Sequence, residues 1–319
     1  MKIIGVGAYT PEKILKNSDL ETMVDTSDEW IFSRTGIKER RVVTDEKTSD
    51  LATKASQKLL EKYNIDPKTI DAIILTTMTP DMLTPSTASL VQERIGAINA
   101  FSFDMSVACS GFVYGLTIAN GLFSDRIKRI LLISCETMSK ITDFTDRNTC
   151  ILFGDGAGCV LLEQDETLFG SKLETVSSYA MSLSAKHIKN RSPFNSDPEP
   201  KIDFIDMNGR DILKAVTLYV PKNIENMLKE NGLEINDVDY VIPHQANIRL
   251  IEVLSQKTAI PIELFYSNID RFGNTSSASI PIALNELVEN NVLVLGSKKK
   301  ILLTGYGAGF SFGSCIITI

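Results

Sequence analysis

The chain alternates short apolar runs of strand length with longer polar-apolar segments of helical period. Lys2 to Gly7 is an apolar run that predicts a strand. Thr26-Ser27-Asp28-Glu29 has the form of a capping box and predicts a short helix over Trp30 to Arg34. From Ser49 to about Tyr63, apolar residues at Leu51, Ala55, Leu59 and Leu60 share one helical face. Ala72 to Thr77 is a strongly apolar strand, Pro85 to Ile95 a helix opened by proline, and Phe101 to Met105 a strand. The helix expected from Cys109 to about Phe123 is apolar nearly all round and rich in small residues, as a buried, closely packed helix must be. Arg129 to Ser134, Ile151 to Phe153 and Cys159 to Leu162 complete the strands of this half.

The second half echoes the first. Asp239 to Ile242 repeats the strand pattern of Asp71 to Ile74, and Ile301 to Leu303 repeats Ile130 to Leu132. Gly305 to Gly309, followed by Cys315 to Ile317, repeats the glycine run of 154–158 and its following strand. Such an echo predicts α/β layers built by duplication, with halves at 1–165 and 166–319. Neither glycine run fits a dinucleotide or phosphate loop. The first reads as a tight strand connection, and the second as backbone brought close to a ligand. Ser184 to Lys201, rich in Lys, Asn, Pro and Asp, reads as a polar insertion or loop.

Composition narrows the function. The 319 residues carry 33 basic and 40 acidic side chains, a net charge of −7 that argues against general nucleic-acid binding. No apolar run approaches a membrane span, and the apolar start is too short for a signal peptide, so a cytoplasmic protein is expected. Five cysteines without a C-x-x-C pair, with only two histidines, argue against a disulfide framework and a zinc site. Cys135, Cys150, Cys159 and Cys315 lie in apolar, strand-like runs and read as core.

Cys109 differs, because it follows a strand end and opens a buried helix. The helix dipole and free N–H groups there favour a thiolate, so a lowered thiol pKa is expected. His244, in Pro243-His244-Gln245-Ala246-Asn247, follows a strand and is placed to enter a cleft at the sheet's carboxyl edge. Asn274, in Gly273-Asn274-Thr275-Ser276, precedes a helix over Ala278 to Glu289 and either binds a ligand oxygen or shapes a turn. A Cys with a His points to acyl-thioester chemistry or to a cysteine hydrolase.

A set of ordered segments makes the reading specific. Val24 to Ile31, Arg34-Thr35-Gly36-Ile37, Asp104 to Gly111, Phe153 to Gly158, Pro243 to Asn247, Asp270 to Ser276 and Gly307 to Phe310 together resemble the β-ketoacyl-acyl carrier protein synthase III family. The resemblance implies a thiolase-like fold: duplicated βαβαβαββ halves in five α-β-α-β-α layers, usually as a homodimer. It implies an acyltransferase that initiates type II fatty acid synthesis, joining an acyl-CoA primer to malonyl-acyl carrier protein with loss of CO2. Cys109 is then the nucleophile, and His244 and Asn274 bind the malonyl thioester and stabilise the enolate. The backbone N–H groups of Cys109 and Gly307 form an oxyanion hole. Trp30 and Arg147 sandwich the CoA adenine, Arg34 assists at the nucleotide, and Asn247 at the pantetheine arm. The CoA thioester is a substrate, and no cofactor or metal is implied.

The carrier protein is acidic and so is this chain, so docking needs a local basic patch. Arg249 matches the family's carrier-docking arginine, within Gln245, Ala246, Asn247, Ile248 and Arg249. Lys214, with Arg210 one turn earlier, lies on one face of a helix beginning near Met207 whose Ile212, Val216 and Tyr219 turn inward. A thiolytic thiolase is disfavoured, because Tyr306 stands where that branch has its second cysteine. A chain-elongating synthase is disfavoured because Asn274 replaces a second histidine. A specialised condensing enzyme of secondary metabolism is the nearest alternative, followed by a thioester-binding scaffold. Met82-Leu83-Thr84-Pro85 resembles the segment that shapes the acyl pocket, and the small Thr84 implies room for primers longer or more branched than acetyl.

Overall fold

The computed structural model describes residues 1–185, 192–194 and 203–319. The first half contributes β1 (Lys2–Tyr9), α1 (Asp28–Thr35), α2 (Thr48–Lys62), β2 (Ala72–Thr76), α3 (Thr87–Ile95), β3 (Phe101–Met105), α4 (Gly111–Leu122), β4 (Arg129–Thr137) and β5 (Asp155–Glu163). The second contributes β6 (Phe169–Thr175), α5 (Gly209–Glu230), β7 (Tyr240–Pro243), α6 (Ile248–Thr258), α7 (Ser279–Glu289), β8 (Lys300–Gly307) and β9 (Ser311–Thr318).

The first sheet has strand order β1-β5-β4-β2-β3 and the second β6-β9-β8-β7. Both repeat one rule: the first three strands run antiparallel and the next joins in parallel. In the first sheet β3 adds a further parallel strand, and a single parallel bridge from Val241 to Phe265 takes its place in the second. The duplication legible in sequence is therefore one of topology as well as of pattern.

Burial explains the apolar strands. Ile73 and Leu75 of β2 face α2 and α3, whereas Ile74 faces the centre, where it meets Phe112 and Leu116 of α4 and Ile280 and Leu284 of α7. A strand covered on both faces reads as a continuous apolar run. Leu302 of β8 faces α5 and α6, and its neighbours Ile301 and Leu303 face the central helices. The layers are thus α2/α3, sheet, α4/α7, sheet, α5/α6.

Several expectations change. Gly156 and Gly158 are not a connection but part of β5, where a Cβ on Gly158 would lie 2.7 Å from the Ile282 nitrogen of α7. Small residues there let the central helix lie on the sheet. Ile151 to Phe153 is not a strand; it follows the short helix Arg147–Cys150, and Cys150 ends that helix instead of lying in a strand. Pro85 stands outside α3, which Ser86 caps by accepting from the Ser89 amide. The far end of α4 is open, with Ile118, Asn120 and Gly121 exposed. Most of the polar stretch from Ser184 to Lys201 lies outside the described residues. Its start belongs to a strand, Leu183–Ala185, paired with Ile205–Met207.

Candidate active site

Cys109 sits on the turn Ala108–Ser110 between β3 and α4. Ala108 has φ +45°, a conformation that costs energy for a residue with a side chain. The turn is clamped against β8: a Cβ on Gly307 would lie 2.7 Å from the Cys109 nitrogen, and one on Gly305 3.0 Å from the Ser110 Cα. The second glycine run therefore brings backbone against the nucleophile turn.

The thiol is 4% exposed. Burial pushes it up to about 12; a hydrogen bond from Ser276 Oγ (3.4 Å) and a backbone amide pull it back, and the Glu136 carboxylate pushes it further up. The expected lowering does not hold, because desolvation of the thiolate outweighs its donors. The resting thiol is protonated at neutral pH.

His244 follows β7, fixed by its amide donating to the Thr304 carbonyl of β8 (2.8 Å). It is buried, and burial holds its pKa down at about 3, so the ring is neutral. Its Nδ1 lies 2.8 Å from Ser279 Oγ, which also accepts from the Gln245 amide at 3.3 Å. In the tautomer in which the Ser279 hydroxyl donates to Nδ1, Nε2 carries the ring proton. Tyr306 holds the ring edge-on, centroids 5.3 Å apart.

Asn274 is pinned by its amide to the Leu152 carbonyl (2.9 Å) and by its carbonyl to the Gly154 amide (3.0 Å). Its Oδ1 accepts from the Ser276 amide (2.9 Å), which leaves the side-chain NH2 free to donate. Gly273 makes this loop possible: its φ is +61°, and a Cβ would meet the Leu152 carbonyl at 2.8 Å. Below the loop, the fully buried Arg40 donates to the carbonyls of Leu15 and Ile151 and to Asn17 Oδ1. Arg40 is a strut that motif reading did not find.

Cys109, His244, Asn274 and Gly307 line one cavity of about 310 Å³, walled by apolar side chains such as Leu152, Val216 and Phe310. Arg34, Ala246, Asn247 and Arg249 also line it. Asn247 caps α6 by accepting from the Arg249 amide, and Arg249 donates to the Ser33 carbonyl of α1 (2.9 Å). Trp30 and Arg147 lie outside the lining. The guanidinium carbons of Arg34 and Arg147 stand 4.7 and 4.8 Å from the centre of the Trp30 ring, which is half-buried and packs on the apolar cluster around Ile31 and Ile37.

The carrier-facing expectations divide. Arg249, Lys214 and Arg210 are exposed, whereas Ala246 and Ile248 are half-buried, Ile248 packing on Gly36. Gln245 is a correction. It is 1% exposed, its Nε2 donates to the carbonyls of Pro243 and Tyr266, and its Oε1 accepts from Ser267 Oγ. It shapes the floor of the His244 loop and has nothing left to offer a partner.

Sequence reasoning also missed Glu136, Ser276 and Ser279, which support the site from below. No group of His, Cys, Asp and Glu among the described residues is placed to hold a metal.

Two family models match the chain: 3-oxoacyl-[acyl-carrier-protein (ACP)] synthase III over residues 103–177 and its C-terminal counterpart over residues 228–319. The β-ketoacyl-[acyl-carrier-protein] synthase III of Lactococcus lactis is 42% identical, covering 100% of this chain and 99% of its own length. That of Enterococcus faecalis is 45% identical, with 98% and 96% covered. The crystal structure of 3-oxoacyl-[acyl-carrier-protein] synthase III from Aquifex aeolicus superposes with a TM-score of 0.91 at 39% identity, covering 100% of this chain and 99% of that one. A priming β-ketosynthase from the R1128 polyketide pathway superposes equally well, TM-score 0.91, at only 30% identity. With this fold, this cavity and relatives matched over their full length, the chain belongs to the β-ketoacyl-[acyl-carrier-protein] synthase III family.

Proposed function

We propose that the protein is the initiating condensing enzyme of fatty acid synthesis, taking an acyl group from acyl-CoA onto Cys109 and joining it to malonyl-acyl carrier protein with loss of CO2. The observation that carries this reading is the convergence of Cys109, His244 and Asn274 on one apolar cavity. Each polar group there has a distinct chemical use. The Cys109 and Gly307 amides serve as donors to the oxyanion formed when the acyl carbonyl is attacked. His244 Nε2–H and the Asn274 NH2 are neutral, fixed donors suited to the thioester enolate that decarboxylation leaves. A charged imidazolium would bind the malonyl carboxylate and hold back its departure, so a histidine kept neutral by burial suits the step.

The cavity mouth serves the two thioester carriers. Trp30 offers a face for adenine, with Arg147 and Arg34 closing on it, and Asn247 serves the pantetheine arm. Arg249, Lys214 and Arg210 supply the basic patch that an acidic carrier needs on an acidic protein. We assign the halves to 1–165 and 166–319, a division supported by the repeated sheet order. A homodimer is supported by β3, a sheet-edge strand whose Phe101 and Phe103 stack 6.5 Å apart, with Phe101 exposed. Leu83 and Thr84 project from the surface, and in a dimer they would shape the acyl end of the partner's pocket. No helix among the described residues is long and apolar enough to cross a membrane.

The test separates the two half-reactions. His244→Ala and Asn274→Ala should still accept an acyl group from acyl-CoA on Cys109 but form no 3-oxoacyl-carrier product from malonyl-carrier protein. Release of free acid from acyl-CoA, with no product that depends on malonyl-carrier protein, would make the protein a hydrolase and refute the proposal.

A further inference from the structure

A fully buried carboxylate without a counter-ion lies beneath the nucleophile. Glu136, on β4, is 0% exposed. Its Oε2 accepts from Thr79 Oγ1 (2.8 Å), the Met78 amide (3.0 Å) and Thr77 Oγ1 (3.2 Å). Its Oε1 accepts from Ser277 Oγ (2.8 Å) and Ser276 Oγ (3.2 Å). No cation pairs with it among the described residues. The titratable groups nearby are Cys109 across Ser276 and Cys135 beside it on β4, with Asp81 and Asp155 further out. Burying a charge with five donors and no cation is expensive, and its hydrogen bonds join the 77–79 segment to the Ser276–Ser277 turn under the nucleophile.

Ser276 ties this carboxylate to the reacting atom. Its φ of +51° aims the hydroxyl into the gap, 3.4 Å from Cys109 Sγ and 3.2 Å from Glu136 Oε1. A hydroxyl has one proton and two lone pairs. The one Ser276 proton serves either neighbour: directed at sulfur it supports a thiolate, and directed at an ionised Glu136 it leaves a lone pair of the Ser276 oxygen turned to the protonated thiol.

We propose that Ser276 and Glu136 are the route by which the Cys109 thiol loses its proton: as sulfur attacks the acyl carbonyl, the thiol proton passes to Ser276 Oγ and the serine proton to Glu136 Oε1. The inference rests on the reading of Cys109 as an acyl acceptor. In acylation the S–C bond forms, the bond to the CoA sulfur breaks, Glu136 becomes neutral, and the CoA thiolate takes a proton from water. In condensation the enolate carbon displaces Cys109 as a thiolate, which recovers the proton from Glu136 through Ser276. The full cycle consumes one proton, as loss of CO2 from a malonyl carboxylate requires. Burial supports the assignment. Glu136 is pushed up to about 6 and stays mostly ionised at neutral pH, yet it accepts a proton far more readily than His244, held at about 3. Ser276 touches the reacting sulfur and is catalytic; Glu136 acts through it as a positioning residue.

The test follows Cys109 by intact mass over pH 5 to 9 with two probes: iodoacetamide, which needs only the thiol, and acetyl-CoA, which also needs the acyl-transfer reading. In the native protein both rates should rise through about pH 6 and then level off, as Glu136 ionises. Ser276→Ala and Glu136→Gln should lose roughly 10²-fold at pH 7, the usual worth of a general base. Their rates should then climb about tenfold per pH unit, because only free thiolate reacts. Ser277→Ala, which removes a donor to the same carboxylate without touching sulfur, should keep the plateau and move its onset to higher pH. A merely structural Glu136 predicts the opposite sign: removing its charge would lower the thiol pKa and speed alkylation. Faster alkylation in Glu136→Gln, or a native pH profile in Ser276→Ala, overturns the proposal. Should Glu136→Gln fail to fold, Ser276→Ala decides, since it leaves the other four donors in place. Native alkylation with no acylation would refute the acyl-acceptor reading while the alkylation profile still judges the relay.

Discussion

Gly307→Ala probes the contact that joins the two halves at the nucleophile. Gly307 has extended backbone, so alanine brings no conformational strain, and the whole effect is steric. Its new Cβ would stand 2.7 Å from the Cys109 nitrogen and 2.9 Å from the Cys109 Cβ. Both are on or next to the backbone, which cannot swing aside as a flexible side chain does. The turn and β8 must separate by about 0.7 Å to restore an ordinary 3.4 Å contact. That displacement falls on the Cys109 and Gly307 amides, the proposed oxyanion donors. A misplacement of this order costs about 10²-fold in rate, as does loss of one oxyanion donor. Overpacking of this kind destabilises by about 1–3 kcal/mol, which a protein of this size tolerates. Single-turnover acylation of Cys109 and denaturant unfolding, measured together, separate the two effects. The expected result is a rate loss of roughly 10²-fold in a folded protein. Gly305→Ala should show a smaller loss, because its Cβ meets the Ser110 Cα at 3.0 Å and the Cys109 carbonyl at 3.3 Å. Acylation of Gly307→Ala within about threefold of the native rate would refute the claim that this contact sets the nucleophile's geometry.

His244 binds its proton far less readily in the folded protein, at about 3, than in the unfolded chain, near 6.5. Between those values the unfolded state holds more protons, so this group's contribution to stability is complete above pH 6.5 and falls as pH falls toward 3. His244→Asn should therefore lose about 2 kcal/mol less than the native protein between pH 6.5 and 5, read from urea unfolding at each pH. Arg40→Lys, which cannot restore three directed hydrogen bonds at once, should destabilise by roughly 1–3 kcal/mol. It should also slow condensation more than acylation, because the strut it removes holds the Leu152 and Asn274 loop. Trp30→Ala should raise KM for acyl-CoA by about tenfold, the worth of one base stacked on an aromatic ring, with little change in kcat at saturation. An unchanged KM would move adenine off this platform.

The repeated pattern of strands and glycine runs carried the α/β layering and the duplication, because duplicated layers leave the same apolar signature twice, while the five-layer arrangement came from the family resemblance. Cys109, His244 and Asn274 were singled out by their places after a strand or in a loop, but their roles came from the family resemblance, and what the structure adds is that they line one cavity. Local signals failed where tertiary contact decides. The thiol pKa was expected to fall, since a helix start is visible in sequence and the desolvation above it is not. Gln245 stands in a functional motif and reads as a contact, yet its amide is spent on the Pro243 and Tyr266 carbonyls. The run at 154–158 reads as a turn, because its need for glycine comes from α7, more than a hundred residues away. Glu136 and Ser276 lie 140 residues apart, and no spacing rule connects them.

The most direct measurement is the intact mass of the protein after mixing with competing acetyl-, butyryl-, isobutyryl- and isovaleryl-CoA, followed by a chase with malonyl-carrier protein. The account predicts one acyl adduct, absent from Cys109→Ala, that the chase clears as 3-oxoacyl-carrier protein. With Thr84 leaving room, the adduct should carry a primer longer or more branched than acetyl. A native protein that stays unmodified, or an adduct that the malonyl carrier does not clear, would contradict it.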